Sequence, residues 1–565
     1  MVPTAFREIL VMTRPWLPYA PLAALVFAAA MYVRVLGYDA TPLWLDEAWR
    51  ANFVLDPNWL ANTFDGSSSF ATITSFAYGG LNRFFAFCES SSRALRLTSL
   101  LPSILAVLLT LFVVSRLSGS RMLGISAAIA AALNLTYIQY AKEFKPYSFE
   151  LFLHVAVIAI ALLYIDALKR ASPPGRTLRA LMLGAGPLAA ICGPNSVFIL
   201  PGYYLIILLA EVKVHPRIPI ALFASGAVTL ALLAAQYLLV WSGAGHDGLL
   251  SYWQANFYTE DAGSRASWIA QRYKEMVESA FQARPSLAVA GPQGVVSPDV
   301  YQRLAAILRP AWLVALMVGL FASAAQIRNK PELFLLLALP LLGLTVANAL
   351  WLWPLGAVRP NVFAYFYVSA LAFVGLAAIP NVWWRGCISA AILLWYGVLH
   401  FPDDATYFAT QATPPRQEVT AALVSVANRL PNRCDDRVLL LTTSASSHAV
   451  QFYTQQDTRY DRRAAARLIR CTEIRGIPVE AYSDPEGFVS RTREVMGTYY
   501  EAWIVWTHLN EAETLKMLQA LSGVGWVSEA QTYPGAGWMR LELVRAPAPT
   551  SPPRNRQDQL ERAPR

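Results

Sequence analysis

Apolar runs long enough to cross a lipid bilayer recur every 25 to 40 positions through the first 400 of the 565 residues. A helix of roughly 20 such residues spans the hydrocarbon core, where each backbone polar group must find its partner inside the helix. That recurrence excludes a soluble fold for residues 1–400. Composition agrees: 55% of the chain is hydrophobic and 15% charged, whereas soluble domains carry about 25% charged residues. From Phe401 onward the balance changes, with nineteen Lys+Arg against nineteen Asp+Glu. The formal charge of +9 therefore belongs to residues 1–400, which hold 27 basic and 18 acidic side chains. Those cations flank apolar segments and form no single stripe, so nucleic acid is not the expected partner.

The candidate spans are 17–36, 95–115, 122–139, 148–165, 180–192, 195–210, 219–241, 309–326, 332–352, 361–380 and 386–400, about eleven transmembrane helices. Residues 180–210 are interrupted by Cys192-Gly193-Pro194-Asn195. Gly-Pro-Asn is a turn signal and the proline removes a helix donor, which favours a hairpin of short helices over one kinked span. Arg7, Arg14, Arg116, Arg121, Lys169, Arg170, Lys213, Arg328, Lys330 and Arg385 all fall on one side if that hairpin exists. The positive-inside rule makes that side cytoplasmic, with the N-terminus inside and the C-terminus outside. No small-residue cleavage site follows the first apolar run, which reads as a signal anchor. Arginine supplies 39 of the 46 basic residues, a bias that fits a GC-rich bacterial genome and hence an inner (plasma) membrane.

The long outside connections, roughly 37–94 and 242–308, mix aromatic and polar residues, as in Trp44–Trp49 and Ser251–Tyr258. Such segments predict amphipathic helices in the membrane interface. Residues 401–545 read as a small periplasmic α/β domain. Its expected strands are Arg437–Thr443, Ala502–Thr507 and Trp538–Val544, with helices over Ser444–Thr454 and Glu511–Ser522. The Pro/Arg-rich end, 546–565, has the composition of a disordered tail. Cys434 and Cys471 are the two cysteines of the outer domain; a disulfide and two buried free thiols both remain open. No cysteine or histidine spacing fits a metal cage, so neither a metal nor any other cofactor is expected.

Three segments carry candidate chemistry. Asp46 and Glu47 lie a few residues past the first span, with Arg50 one turn on. Held within hydrogen-bond reach, a carboxylate there can take the proton of an attacking hydroxyl; the plainer role is to cap an interfacial helix. The third span ends in Tyr140-Ala-Lys142-Glu143-Phe-Lys145-Pro-Tyr147-Ser148, which sets charges at the membrane boundary, where they are expensive without work or a partner. The alternative is a turn whose Lys and Glu side chains reach water and pair. Trp353-Pro-Leu355-Gly-Ala357-Val-Arg359-Pro360 is a tight outside turn, and Arg359 breaks the positive-inside pattern. An arginine there suits a lipid phosphate, through a bidentate contact, or equally an ordinary headgroup.

Taken in order, these three segments resemble the bacterial GT-C-type glycosyltransferases, related to protein O-mannosyltransferases and lipid A aminoarabinose transferases, over most of residues 40–380. The resemblance implies a GT-C-type transmembrane catalytic domain at 1–400 and a polyprenyl-phosphate-sugar donor. It implies Asp46 as the base on the acceptor, with Glu47 sharing that role or positioning the sugar. Glu143 would contact sugar or acceptor, and Lys145 and Arg359 the departing lipid phosphate, with Arg50, Lys142 and Tyr147 among the substrate-binding residues. The acceptor would be a glycan, a glycolipid or a protein, reached by one inverting displacement. The third segment departs from the family pattern, which has an aromatic where Leu355 stands and glycine near Ala357. A transporter or flippase of lipid-linked glycans is an alternative, given the broken helix at Gly193-Pro194. A polymer ligase is another, though its chemistry does not need the early Asp-Glu pair. The middles of the spans look nearly uncharged, with His154 the main polar exception.

Overall fold

A computed structural model of the chain describes residues 20–38, 42–64, 76–170, 174–214, 219–241, 252–259, 263–281, 317–327, 330–394, 418–430, 434, 437–457, 460–477, 484–497, 499, 501–507, 509, 511–533 and 536–542. Arg7, Arg14, Arg328 and the 546–565 tail lie outside these residues. The chain divides into two compact units, one of Met1–Thr41 with Trp49–Thr413, the other of Pro42–Ala48 with Pro414–Arg565.

The first unit is helical. Among the described residues, Ser92–Ser118, Tyr147–Lys169, Ile220–Val240 and Pro331–Ala349 are long and apolar enough to cross a membrane, and Arg121–Leu133 with Leu135–Ala141, bent by 58° at their junction, reaches that length only when the two are taken together. The chain is thus a multi-pass helical membrane protein. Shorter helices occupy the other predicted spans: Ala20–Val35, Arg176–Cys192, Leu200–Val214, Met317–Ile327, Val362–Leu376 and Val382–Leu394. Within the described residues these are shorter than the roughly 20 residues of a full crossing, and Ala20–Val35, Leu200–Val214, Met317–Ile327 and Val382–Leu394 each run up to where the described residues end.

Local chemistry accounts for the ends. Ser91 Oγ accepts the Ala94 N–H at 3.2 Å to start Ser92–Ser118, and Gly119 at φ 70 ends it in the left-handed conformation that glycine adopts freely. Near that end Arg116 pairs with Asp166 of Tyr147–Lys169. The Gly193-Pro194 interruption is a hairpin: the Tyr203 hydroxyl of Leu200–Val214 donates back to the Met182 carbonyl of Arg176–Cys192. Leu200–Val214 also lies against the π-turn at Phe334–Ala338, where a Cβ on Gly202 would come within 1.8 Å of the Leu335 carbonyl oxygen.

Asn134-Leu135-Thr136, expected inside a continuous span, marks its break. Asn134 Oδ1 accepts the Tyr137 N–H at 3.1 Å, while its Nδ2 donates to the Ala280 carbonyl at 2.9 Å. Arg34, fully buried, serves the other side of the break. Its guanidinium donates to the carbonyls of Ala132 and Ala131 at 2.8 and 3.1 Å and to Ser103 Oγ at 2.9 Å. Those carbonyls are among the last four of a helix, which have no partner inside it. Of the Ser251–Tyr258 segment, expected as an amphipathic helix, residues 252–258 are described and include a short 3-10 turn at Gln254–Asn256; further along the same connection, Arg265–Ala280 is a helix.

The second unit contains a five-stranded sheet, β1 Val438–Thr443, β2 Thr472–Ile477, β3 Glu501–Thr507, β4 Trp526–Tyr533 and β5 Ala536–Glu542, in the order β2-β1-β3-β5-β4. β1 pairs in parallel with β2 and β3, and β5 is antiparallel to β3 and β4. Leu439, Leu441, Ile504, Trp506, Met539 and Leu541 pack on one face with Phe488 and Met496 of the helix Pro485–Met496 and Met517 and Leu521 of Glu511–Ser522. Cys434 and Cys471 are joined, with 4.9 Å between their Cα atoms, which resolves the alternative left open by the sequence. β2, β4 and the helices Val419–Arg429, Arg462–Cys471 and Pro485–Met496 were not expected. Both missed strands are sheet edges, where polar residues face outward and the apolar alternation fades.

Candidate functional site

The helix Leu45–Leu55 begins where the acidic pair stands. Glu47 accepts the Trp44 N–H at 3.2 Å, the arm of a capping box that reaches back to the first free donor of the helix. Glu47 is fully buried, whereas Asp46 is half-buried, so the two neighbours have different surroundings. Both carboxylates also lie in the first turn, where the helix dipole favours negative charge. Ala48, Ala51 and Val54 are fully buried and recur every third residue, forming the apolar face that keeps the segment helical. Just before the helix, the Leu43 N–H donates to the Tyr453 hydroxyl at 2.5 Å. One turn past Asp46, Arg50 is buried within electrostatic reach of Glu150 and of the Tyr78 hydroxyl.

A second cluster joins residues far apart in sequence. Glu143 and Lys145, 8% and 3% exposed, lie in the loop after Leu135–Ala141. Glu143 Oε1 accepts Gln139 Nε2 at 2.9 Å, and the Lys145 carbonyl accepts Ser99 Oγ at 2.7 Å. The rings of Tyr140 and Tyr147 meet edge to face, 5.0 Å between centroids. Arg359 lies in electrostatic reach of Tyr147, Tyr140, Glu143 and Tyr252. Burial by itself would lower its pKa; the oxygens of these four residues outweigh that and hold it above the ordinary arginine value. Lys142 turns elsewhere: its Nζ donates to the Leu36 carbonyl at 2.7 Å, beside the C-terminus of the helix Ala20–Val35. A cation at a helix C-terminus is a favourable structural contact.

The turn carrying Arg359 is built by asparagines. Asn361 Nδ2 donates to the carbonyls of Pro354 and Gly356 at 2.9 and 3.0 Å, and its Oδ1 accepts Trp353 Nε1 at 2.9 Å. Asn348 Nδ2 donates to the Asn256 carbonyl at 2.9 Å, which also accepts the Leu355 N–H at 3.0 Å. Gly356 has φ +114, a backbone that side-chain-bearing residues rarely adopt, and a Cβ there would come within 2.9 Å of Arg272 Cδ. The departure at Leu355 and Ala357 therefore has its own solution: Leu355 is fully buried, and the glycine conformation falls at Gly356.

Behind these residues the predicted spans are more polar than their hydropathy suggested. Glu150, 6% exposed, and His154, fully buried, sit one turn apart on Tyr147–Lys169. His154 Nδ1 bonds the Tyr367 hydroxyl at 2.6 Å and its Nε2 lies 3.3 Å from Asn195 Oδ1. Arg34 and Arg96 are also buried. His154 was the polar exception visible from the sequence; Glu150, Arg34 and Arg96 stand near the ends of apolar runs, where window averages conceal one polar residue. Among the described residues, no group of three or more His, Cys, Asp or Glu could hold a metal ion.

No protein-family model and no curated protein matches the sequence. Among solved structures, the chain is similar to the oligosaccharyltransferase AglB from Archaeoglobus fulgidus in complex with an inhibitory peptide and a dolichol-phosphate, at 14% identity over 92% of this chain and 74% of that one, TM-score 0.47. It is also similar to ArnT from Cupriavidus metallidurans bound to undecaprenyl phosphate, at 12% identity over 92% and 97% of the two chains, TM-score 0.45. Against ArnT in the apo state the identity is 11% over 93% and 98%, TM-score 0.49.

Proposed function

We propose that this chain is a membrane glycosyltransferase that moves a sugar from a polyprenyl-phosphate donor to an acceptor hydroxyl at the outer face of a bacterial inner membrane. The observation that carries this reading is the gathering of Arg359 and Glu143 within electrostatic reach of each other and of the packed rings of Tyr140 and Tyr147, a cation and a carboxylate from distant segments in a multi-pass membrane protein. In the proposed step the acceptor hydroxyl gives its proton to Asp46 as its oxygen attacks the anomeric carbon. The bond from that carbon to the phosphate oxygen breaks, its electron pair staying on the departing polyprenyl phosphate. Lys145 and Arg359 oppose the negative charge that develops there, where preorganised cations contribute most. Glu143 contacts sugar or acceptor, and Tyr147 lines the same cluster. Glu47 acts through the helix cap that orients Asp46, and Lys142 acts through its contact with Leu36.

The displacement inverts the anomeric centre and uses no obligatory metal; turnover surviving a chelator is the expected result. The C-terminal domain would be periplasmic, a placement that the Cys434–Cys471 disulfide supports, since such bonds persist in oxidising compartments. A transporter of lipid-linked glycans is the second reading, favoured by buried Glu150 and His154 within an apolar helix.

The test offers purified protein a panel of polyprenyl-phosphate sugars, with membrane extract as acceptor. Release of polyprenyl phosphate should fall about 10²–10⁴-fold in Asp46→Asn, the span that general-base catalysis contributes. A well-folded Asp46→Asn variant with unchanged turnover removes Asp46 from the mechanism. Donor binding without any release moves the transporter reading ahead.

A further inference from the structure

We infer that the C-terminal α/β domain positions the first helical turn, Leu45–Ala48, which carries Asp46, and that Tyr453 is the residue through which it does so. The inference rests on the reading of Asp46 as the base. Two observations carry it. Pro42–Ala48 belongs to the same compact unit as Pro414–Arg565, although more than 360 residues separate them in the chain. Within that unit the Leu43 N–H, two residues before the first helical residue, donates to the Tyr453 hydroxyl at 2.5 Å.

The burial of the partners makes this bond a fixed point. Leu43 is fully buried, Trp44 is 6% exposed and Tyr453 3%. Tyr453 stands in the π-turn Phe452–Gln456 that continues the helix Ser444–Gln451, itself leading directly out of β1. Its ring packs against Phe452 at 5.0 Å and Tyr460 at 5.6 Å between centroids, which leaves the hydroxyl little freedom. From β1 to Leu43 the path is therefore rigid. Glu47 then binds the Trp44 N–H, so Leu43, Trp44 and Glu47 are each tied down around Asp46. The direction in which a chain enters a helix sets the rotation of its first turn. Asp46 is in that first turn, so the bond to Tyr453 bears on where its carboxylate points. A displacement of about 1 Å at a catalytic group costs on the order of 10²-fold in rate.

The test compares full-length protein in lipid nanodiscs, wild type against Tyr453→Phe, by hydrogen exchange and by transfer from a polyprenyl-phosphate sugar. Tyr453→Phe keeps the ring and removes the acceptor oxygen. Exchange in peptides covering 42–48 should speed up about tenfold, the scale of one buried hydrogen bond lost. Turnover should fall about tenfold with donor KM within about twofold of wild type, since the bond orients a group and binds no donor. Unchanged exchange at 42–48 overturns the inference, as does faster exchange with unchanged kcat. Equal loss of protection in β1 and β3 also overturns it, because Tyr453 would then merely support the domain core. Asp46→Asn is assayed alongside: if it turns over normally, the reading of Asp46 has failed, and the exchange result still decides whether the clamp exists.

Discussion

Asp46 and Glu47 are neighbours in sequence with different surroundings. Glu47 is buried and capped onto Trp44, whereas Asp46 keeps partial exposure. Their variants should separate accordingly. Glu47→Gln retains an acceptor for the Trp44 N–H, since Gln also serves in a capping box, so it should leave most turnover intact; Asp46→Asn should remove it. Comparing the two in the same transfer assay checks the division of roles. Arg359→Ala should weaken donor binding more than acceptor binding, read as separate KM changes; equal changes would mark the arginine as structural. Its pH behaviour has a definite sign. A cation whose folded pKa is raised contributes fully below the unfolded value and loses its contribution only as pH rises through the folded one. Both values lie far above neutral pH, so donor binding should show no arginine-dependent loss between about pH 6 and 9.

Among the elements, the broken span is the device that delivers Glu143 and Lys145 to their loop. Asn134 caps the segment after the break and Arg34 takes up carbonyls from the one before it. Asn134→Ala should cost about 1 kcal/mol, the usual value of an N-cap. Arg34→Met should cost more, because it leaves the Ala131 and Ala132 carbonyls buried without that donor, at about 1–3 kcal/mol for each unsatisfied group. Thermal unfolding of both variants in detergent checks the order. The helix itself was legible from hydropathy. Its break was not, because one asparagine hardly changes the mean hydropathy of an apolar run, and the Asn134 side chain is also held by the Ala280 carbonyl, 146 residues away. β1 and β3 were legible for the opposite reason: both are central strands and read as near-continuous apolar runs.

For the whole molecule, the disulfide is the covalent link that sequence left undecided. Cys434 and Cys471 are 37 residues apart, and closing a loop of that size stabilises by roughly 3–4 kcal/mol in the chain-entropy account. Thiol titration of denatured, unreduced protein should count three cysteines, Cys88, Cys192 and Cys387, and reduction should raise the count to five. Cys434→Ser should lower the unfolding temperature of the C-terminal domain and leave exchange in Ser92–Ser118 unchanged.

By itself the sequence determined the membrane class, the charge bias of the connections, the apolar strands and the positions where costly charges gather. Each of these follows from interactions within a few residues: hydrophobic periodicity, turn chemistry, and the expense of charge beside an apolar run. Only the tertiary structure decided which of those charges meet. It brought Arg359 to Glu143, took Lys142 to the Leu36 carbonyl, set Glu150 within reach of Arg50, and tied Leu43 to Tyr453 across 410 positions. The physical reason is that a side chain's partner over such separations is chosen by how the helices and the sheet pack, and packing is a property of the assembled core that no local window contains.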